Sequence, residues 1–279
     1  MSPLLLYAMV LVAALGHAAW NALVKSSADR LLTMAAIRCV GLAFGIVATI
    51  LLPPLPREAW AILAGTIVVH FLYWGLLLES HRLGDLSLVY PIARGLAPVL
   101  LAILAWVAIG EALSTAQVAA IALISGGIFA LVLGKHGQWT AIGVAVLTAI
   151  SIGAYTFLGG LGVRVSGSVL SYLAWQELIS CPIFIAWAIF RRRGQVRSFI
   201  RTQGLTGLGA GVISVGGYGA YLFAMQALPM APVTALRESS ALFGAIIGTV
   251  ILREPFGTRR IAAAALITLG IAVLVTMGH

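Results

Sequence analysis

The sequence predicts an all-α membrane protein of ten transmembrane helices, arranged as two inverted five-helix repeats. Three observations predict it. The chain is 61% hydrophobic and only 9% charged, with a mean hydropathy of +1.08, whereas water-soluble proteins carry roughly 25% charged residues. Its apolar residues gather into about ten runs, each close to the roughly 20 residues that cross a bilayer as helix. The chain also contains one stretch twice: Arg94 precedes Glu111 by 17 positions, Arg237 precedes Glu254 by the same 17, and Gly127 and Gly270 keep that register. Closing the alignment upstream at Leu83 and Leu228 needs a two-residue gap.

The first run, near 3–24, is apolar from Pro3 to Val24 and lacks a basic n-region, so it reads as a helix rather than a cleaved signal. One face carries His17, Trp20 and Asn21. The second, 31–53, holds Arg38 near its middle and Gly41 and Gly45 four apart. The third, 58–79, groups His70, Tyr73 and Trp74. The fourth, 86–110, carries Arg94 between Pro91 and Pro98, prolines that free backbone groups beside the charge. The fifth, 114–134, contains Gly126 and Gly127, and completes a first repeat over residues 1–136.

The second repeat, 137–279, begins with a run at 139–163 carrying Tyr155. The run at 167–190 brings Tyr172, Trp175, Gln176 and Glu177 together. The run at 203–227 sets Ser214, Tyr218, Tyr221 and Met225 at i, i+4, i+7 and i+11, with Gly207 and Gly211 four apart. The ninth, 231–252, starts beside Pro229 and Pro232 and holds Arg237, Glu238 and the pair Gly244 and Gly248. The tenth, 258–277, carries Gly270. The runs are continuous rather than alternating, which excludes a β-barrel. Their connections are too short for a soluble domain. Glycines four apart make flat helix faces that let backbones approach closely.

Charge gives an orientation. With the N-terminus outside, the inner loops collect Lys25, Arg30, Arg82, Lys135, Arg191, Arg192, Arg193, Arg197, Arg201, Arg253, Arg259 and Arg260, while the outer loops keep Arg57 and Arg164. Both termini are therefore expected outside. The net charge of +9 is spread over these loops and forms no nucleic-acid-binding patch. Cys39 and Cys181 lie inside apolar runs and offer neither a disulfide framework nor a metal site. His17 and His70, with no nearby cysteine, make a poor metal pair. No cofactor is expected, the lipid bilayer is the surrounding partner, and a homodimer is compatible with the sequence.

Five helices per half is an odd number, so the halves must sit in the membrane with opposite topology. Ala14, Ala19 and Trp20 align with Ala149, Ala154 and Tyr155, and Tyr73 aligns with Tyr218. Inverted repeats are a hallmark of secondary transporters, whose solute binds between them near the midplane.

The tail of each half carries a recurring pattern. The first reads Leu83-Gly84-Asp85-Leu86-Ser87, then Pro98, Gly110-Glu111-Ala112-Leu113-Ser114 and Gly126-Gly127; the second reads Leu228-Pro229-Met230-Ala231, then Leu252-Arg253-Glu254-Pro255 and Gly270. With Trp20, Lys25 and Arg38, this resembles the EamA-type drug/metabolite transporters. The resemblance covers nearly the whole chain and implies ten helices in two repeats, transport of a small solute and export, in a bacterial inner membrane. That family places both termini in the cytoplasm, the reverse of what the loop arginines indicate.

Arg94 and Arg237 are the leading site residues. An arginine deep in a membrane helix costs roughly 2.5–3.5 kcal/mol on insertion scales and turns to a partner or a wet cavity. It either recognises an anionic group, for which its fork suits a carboxylate, or forms a structural ion pair. Arg94 has Tyr90 one turn earlier. Glu238 follows Arg237 but points about 100° away. A carboxyl in an apolar cavity can load and release a proton, which makes Glu238 the proton-coupling candidate and Glu177 a lesser one. Glu111 and Glu254, at helix ends, read as turn or packing residues. The aromatic and polar faces, Trp20, Asn21, His70, Tyr73, Trp74, Tyr155, Trp175, Tyr218 and Tyr221, suit either a cavity for an amphipathic solute or an interfacial belt.

The expected function is thus a secondary transporter for a small amphipathic metabolite, an amino acid or related solute. An intramembrane enzyme or a channel is the alternative. The enzyme lacks its motifs: no H-E-x-x-H is present, and Asp29 and Asp85 are the only aspartates for metal-dependent lipid chemistry. Ser151, Ser214 and Ser239 do not assemble into a hydrolase pattern. A channel would show rings of like charge or a pore motif.

Overall fold

A computed structural model describes residues 1–83, 86–132, 139–250 and 258–277, and these fold as α-helices joined by short connections, with no strand among them. The elements are α1 (Pro3–Ser26), α2 (Arg30–Leu51), α3 (Arg57–Leu83), α4 (Leu86–Ile109), α5 (Thr115–Ala130), α6 (Trp139–Ser166), α7 (Val169–Arg191), α8 (Val196–Ala227), α9 (Met230–Glu238), α10 (Ser240–Val250) and α11 (Thr258–Met277). Seven of them are long and apolar enough to cross a membrane, and α5 and residues 261–277 of α11 are shorter apolar helices. Large apolar side chains stay exposed around the molecule, among them Val12, Ile50, Val68, Val107 and Leu205. In water such a surface would be untenable; facing lipid tails it is the required one. The protein is an integral, multi-pass membrane protein.

Local chemistry sets the helix ends. The Asp29 carboxylate accepts from the amides of Leu31 and Leu32 at 3.0 and 3.1 Å and starts α2. Ser114 and Gln117 form a reciprocal capping box on α5. After α4 and α6 the chain turns through Gly110 and Gly167 at φ of 66° and 67°, a left-handed conformation that glycine adopts without a Cβ clash.

Three boundaries differ from the sequence reading. α8 begins at Val196, so Arg197 and Arg201 stand on the helix and not in a loop. The apolar pattern marks where a helix meets the membrane surface, and the backbone spiral continues past it. α5 ends at Ala130, short of the expected 134. The expected ninth run is divided: α9 and α10 meet at Ser239, whose amide bonds to the Leu236 and Arg237 carbonyls. The polar sequence Arg237-Glu238-Ser239-Ser240 interrupts the apolar run there.

The helices pair α3 with α6, α1 with α8, α2 with α7 and with α8, α4 with α6, and α5 with α11. Two glycine pairs lie at these crossings. A Cβ on Gly45 would come within 2.8 Å of the Leu178 amide on α7, and one on Gly211 within 3.0 Å of the Ile37 carbonyl on α2. Gly244 of the third pair faces open space, so the close-packing reading does not extend to it.

Ion pairs identify the two ends of the molecule. Arg164, at the end of α6, donates to Glu111 Oε2 at 2.7 Å, to the Met225 carbonyl at 2.9 Å and to the Leu228 carbonyl at 2.7 Å. Glu111 Oε1 accepts the Met230 amide at 2.6 Å. The α4–α5, α6–α7 and α8–α9 turns therefore share one end. At the other end, Arg192 meets Asp29 at 3.0 Å and joins the α7–α8 and α1–α2 turns. α1 and α7 run between these ends, which puts the N-terminus at the Arg164 end. α11 packs antiparallel to α5, with Gly127 against Ala263 and Gly270 against Ala120, and so returns the last helix to that end as well.

Candidate functional site

Arg94 stands midway along α4, 6% exposed. Its Nε lies 2.8 Å from Glu238 Oε2 of α9. The contact is an ion pair rather than an aligned hydrogen bond, because neither Arg94 Nε nor Glu238 Oε1 has a hydrogen-bond partner among the described residues. His17 of α1 comes to 3.4 Å from Arg94 Nη2. Tyr90 offers its ring at 5.8 Å, near the limit of a useful cation–π contact, and is itself 38% exposed. Two charges out of water are costly, and their mutual attraction roughly offsets that cost. Removing either one alone strands the other, at about 3–5 kcal/mol.

Arg237, one residue before Glu238, points elsewhere and is only half-buried. Its guanidinium lies 4.6 Å from the Tyr221 ring centroid and 5.9 Å from that of Tyr218, both on α8. No acidic group among the described residues pairs with it. Tyr221 is fixed by a hydroxyl contact of 2.7 Å with Thr234, and the Gln176 amide donates to the Tyr218 hydroxyl at 3.4 Å. Beside them His70 stacks on Tyr155 at 4.6 Å, with Tyr73 tilted against Tyr155 at 5.3 Å and Trp74 edge-on to His70 at 5.3 Å. Both guanidiniums act electrostatically on His17 and Tyr73, so these groups form one neighbourhood. Their mutual contacts lie between helices, not around the molecule's rim.

A second charged group adjoins it. Arg38 of α2 lies over the Trp74 ring at 5.3 Å and 3.6 Å from Glu177 of α7, which also accepts from the Cys181 thiol at 2.8 Å. Arg38, His70, Trp74, Gln176 and Ser180 line a narrow crevice.

Some expected site residues stand apart. Asn21 is exposed, and its amide turns back to the His17 carbonyl of its own helix at 2.7 Å. Trp175 packs edge-on against Trp60 at 4.8 Å, and Trp20 reaches the cluster only through an edge contact with His17 at 5.0 Å. Helical spacing grouped them with the others; rotation of each helix about its axis separates them. His17 and Gln176, named on their helix faces but not among the expected site residues, join the cluster, as does Thr234. The first two were visible as polar positions on aromatic faces, whereas Thr234 gave no signal. Glu254, expected as a turn residue, lies outside the described residues. Among those residues no group of three or more His, Cys, Asp or Glu side chains could hold a metal ion.

An all-helical multi-pass protein with charges paired and half-open in its interior belongs to the class of membrane transporters of small solutes, and the comparisons agree. Residues 139–276 match the EamA-like transporter family, consistent with the drug/metabolite transporter superfamily that the sequence resembles. Its members are transporters, not enzymes. A crystal structure at 18% sequence identity superposes with a TM-score of 0.73, covering 99% of this chain and 97% of that one, which shows a shared fold. No curated protein matches in sequence.

Proposed function

We propose that the protein is a secondary transporter that moves a small amphipathic metabolite bearing an acidic group, an amino acid or relative, by alternating access between two inverted five-span halves. Counting α9 with α10 as one broken span gives ten. The pairings support the repeat: with α1–α5 equivalent to α6, α7, α8, α9–α10 and α11, the α1/α8 and α3/α6 contacts exchange, while α2/α7 and α5/α11 map onto themselves. Broken spans at a repeat interface are where transporters of this architecture hold their solutes.

The observation that carries the reading is the Arg94–Glu238 ion pair, which joins equivalent spans of the two halves beside Arg237. Two guanidiniums supply positive potential for an anionic solute. Glu238 is the coupling acid, faced by Arg94 from α4, by its neighbour Arg237, by Tyr221 from α8, and, beyond Arg94, by His17 from α1. A proton on Glu238 would break its pair with Arg94 and raise the positive charge of the cluster, so protonation and the binding of a solute anion are coupled. Export follows from the family likeness.

Proteoliposomes containing only this protein should show saturable flux of an amino-acid-like solute that responds to an imposed pH gradient. Glu238→Gln should abolish the response to pH while exchange of solute persists. Chemical turnover of the solute, or flux at channel rates, overturns the reading.

A further inference from the structure

The two interior guanidiniums are not in equivalent states. Arg94 is buried and its charge is met by Glu238 at 2.8 Å. Arg237 is half-buried, rests on the faces of Tyr221 and Tyr218, and has no hydrogen-bond acceptor and no carboxylate pairing with it among the described residues. Two guanidiniums against one carboxylate leave this cluster with a positive charge in excess. A cation inside a membrane protein is costly without a counter-charge, and a cation–π contact returns only about 0.5–2 kcal/mol. Stacking on a ring also leaves the edge of the guanidinium, where its N–H donors lie, free for a planar anion.

A second unsatisfied group flanks the same tyrosine. Gln176 is 4% exposed and spends its amide N–H on the Tyr218 hydroxyl, but its Oε1 is buried without a hydrogen-bond partner. A buried acceptor left unmatched costs about 1–3 kcal/mol, so its natural complement is an N–H donor. Arg237 lies over the Tyr218 face and Gln176 at its hydroxyl; α9 and α7 bring an anion receptor and a donor receptor to opposite parts of one side chain on α8.

We propose that Arg237, rather than Arg94, takes the solute's anionic group, and that Gln176 Oε1 takes an N–H donor of the same molecule. The solute class is then a small zwitterion, a carboxylate with a protonated amine. This rests on the transporter reading above and assigns its contacts. Arg94 is left to hold Glu238, a positioning role.

The test uses the purified full chain in lipid nanodiscs. Each of the twenty standard amino acids is screened for a rise in melting temperature, and the strongest stabiliser is compared with its des-amino acid and its carboxamide. The wild type should prefer the zwitterion to both by at least about tenfold, the value of one charge-assisted hydrogen bond. Arg237→Gln should weaken zwitterion binding by about 10- to 100-fold with at most a small change in the ligand-free melting temperature, because only the cation–π contacts with Tyr221 and Tyr218, and no ion pair or hydrogen bond, are lost. Arg237→Lys, which keeps the charge and loses the fork, should weaken it about tenfold. Gln176→Leu should bind the zwitterion and the des-amino acid alike. Unchanged affinity in Arg237→Gln, or a fall in its ligand-free melting temperature that matches the loss of binding, overturns the proposal. So does a wild type that none of the twenty stabilises. Flux of a different solute in the proteoliposomes would then leave the transporter reading standing while this assignment falls.

Discussion

At the scale of single residues, the interior is organised by which charge meets which. Arg94 and Glu238 form a closed pair, so the effect of a substitution depends on what it leaves behind. Arg94→Gln strands a buried carboxylate and should lower stability by about 3–5 kcal/mol, whereas the uncharged double variant Arg94→Gln with Glu238→Gln should recover most of that loss. Thermal unfolding of the wild type, the two single variants and the double variant in one detergent measures the coupling; additive effects would show that the pair contributes no mutual stabilisation. The positions of both arginines were legible in the sequence, because a charge inside an apolar run is too costly to be incidental. Their partners were not. Helical geometry already separated the adjacent Arg237 and Glu238 by about 100°, but it did not say which neighbour each one meets. Glu238 turns to α4 and Arg237 to α8, and only the packing of three helices decides that.

At the scale of elements, the Arg164 network is the feature that motion would have to break. One guanidinium and one carboxylate hold the α4–α5, α6–α7 and α8–α9 turns with four hydrogen bonds. The α8–α9 turn leads directly into the helix that carries Arg237 and Glu238. In the alternating access proposed above, one end of the molecule opens while the other closes, and this network would be the latch that holds its end closed over the cluster. Arg164→Ala should shift the balance toward the open form by roughly 10- to 100-fold, from the loss of charge-assisted hydrogen bonds. A cysteine placed at the buried Ala231 should then react faster with a membrane-impermeant reagent applied to proteoliposomes. A lower melting temperature with unchanged reactivity would assign Arg164 to stability alone. The sequence showed the turn at Gly110-Glu111 and the spans on either side of it. It treated Arg164 only as a loop charge, because two of its acceptors are backbone carbonyls more than sixty positions away, which no side-chain pattern marks, and the third is the distant Glu111. The division at Ser239 was hidden for a related reason: neither proline nor glycine stands there to mark it.

At the scale of the whole molecule, the arrangement of the ends bears on orientation. The termini lie at the Arg164 end, together with Arg57; Lys25, Arg30 and the Arg191–Arg201 cluster lie at the opposite end. Within this division Arg164 is neutralised by Glu111, which removes most of the positive charge from the terminal end and strengthens the asymmetry already counted in the loops. Positive residues near span ends are retained on the cytoplasmic side, so the terminal end is predicted to face outward. Ser198 and Met277 are both exposed and sit at opposite ends, which makes them suitable reporters. In a background with Cys39 replaced by serine, Met277→Cys should react with an impermeant thiol reagent in intact cells, and Ser198→Cys only after permeabilisation. The buried Cys181 supplies a constant, low background. Labelling of Ser198→Cys but not Met277→Cys in intact cells would show the opposite insertion, with both termini in the cytoplasm. The Arg164 latch would then close the inner mouth, and the solute cluster would open inward when it breaks.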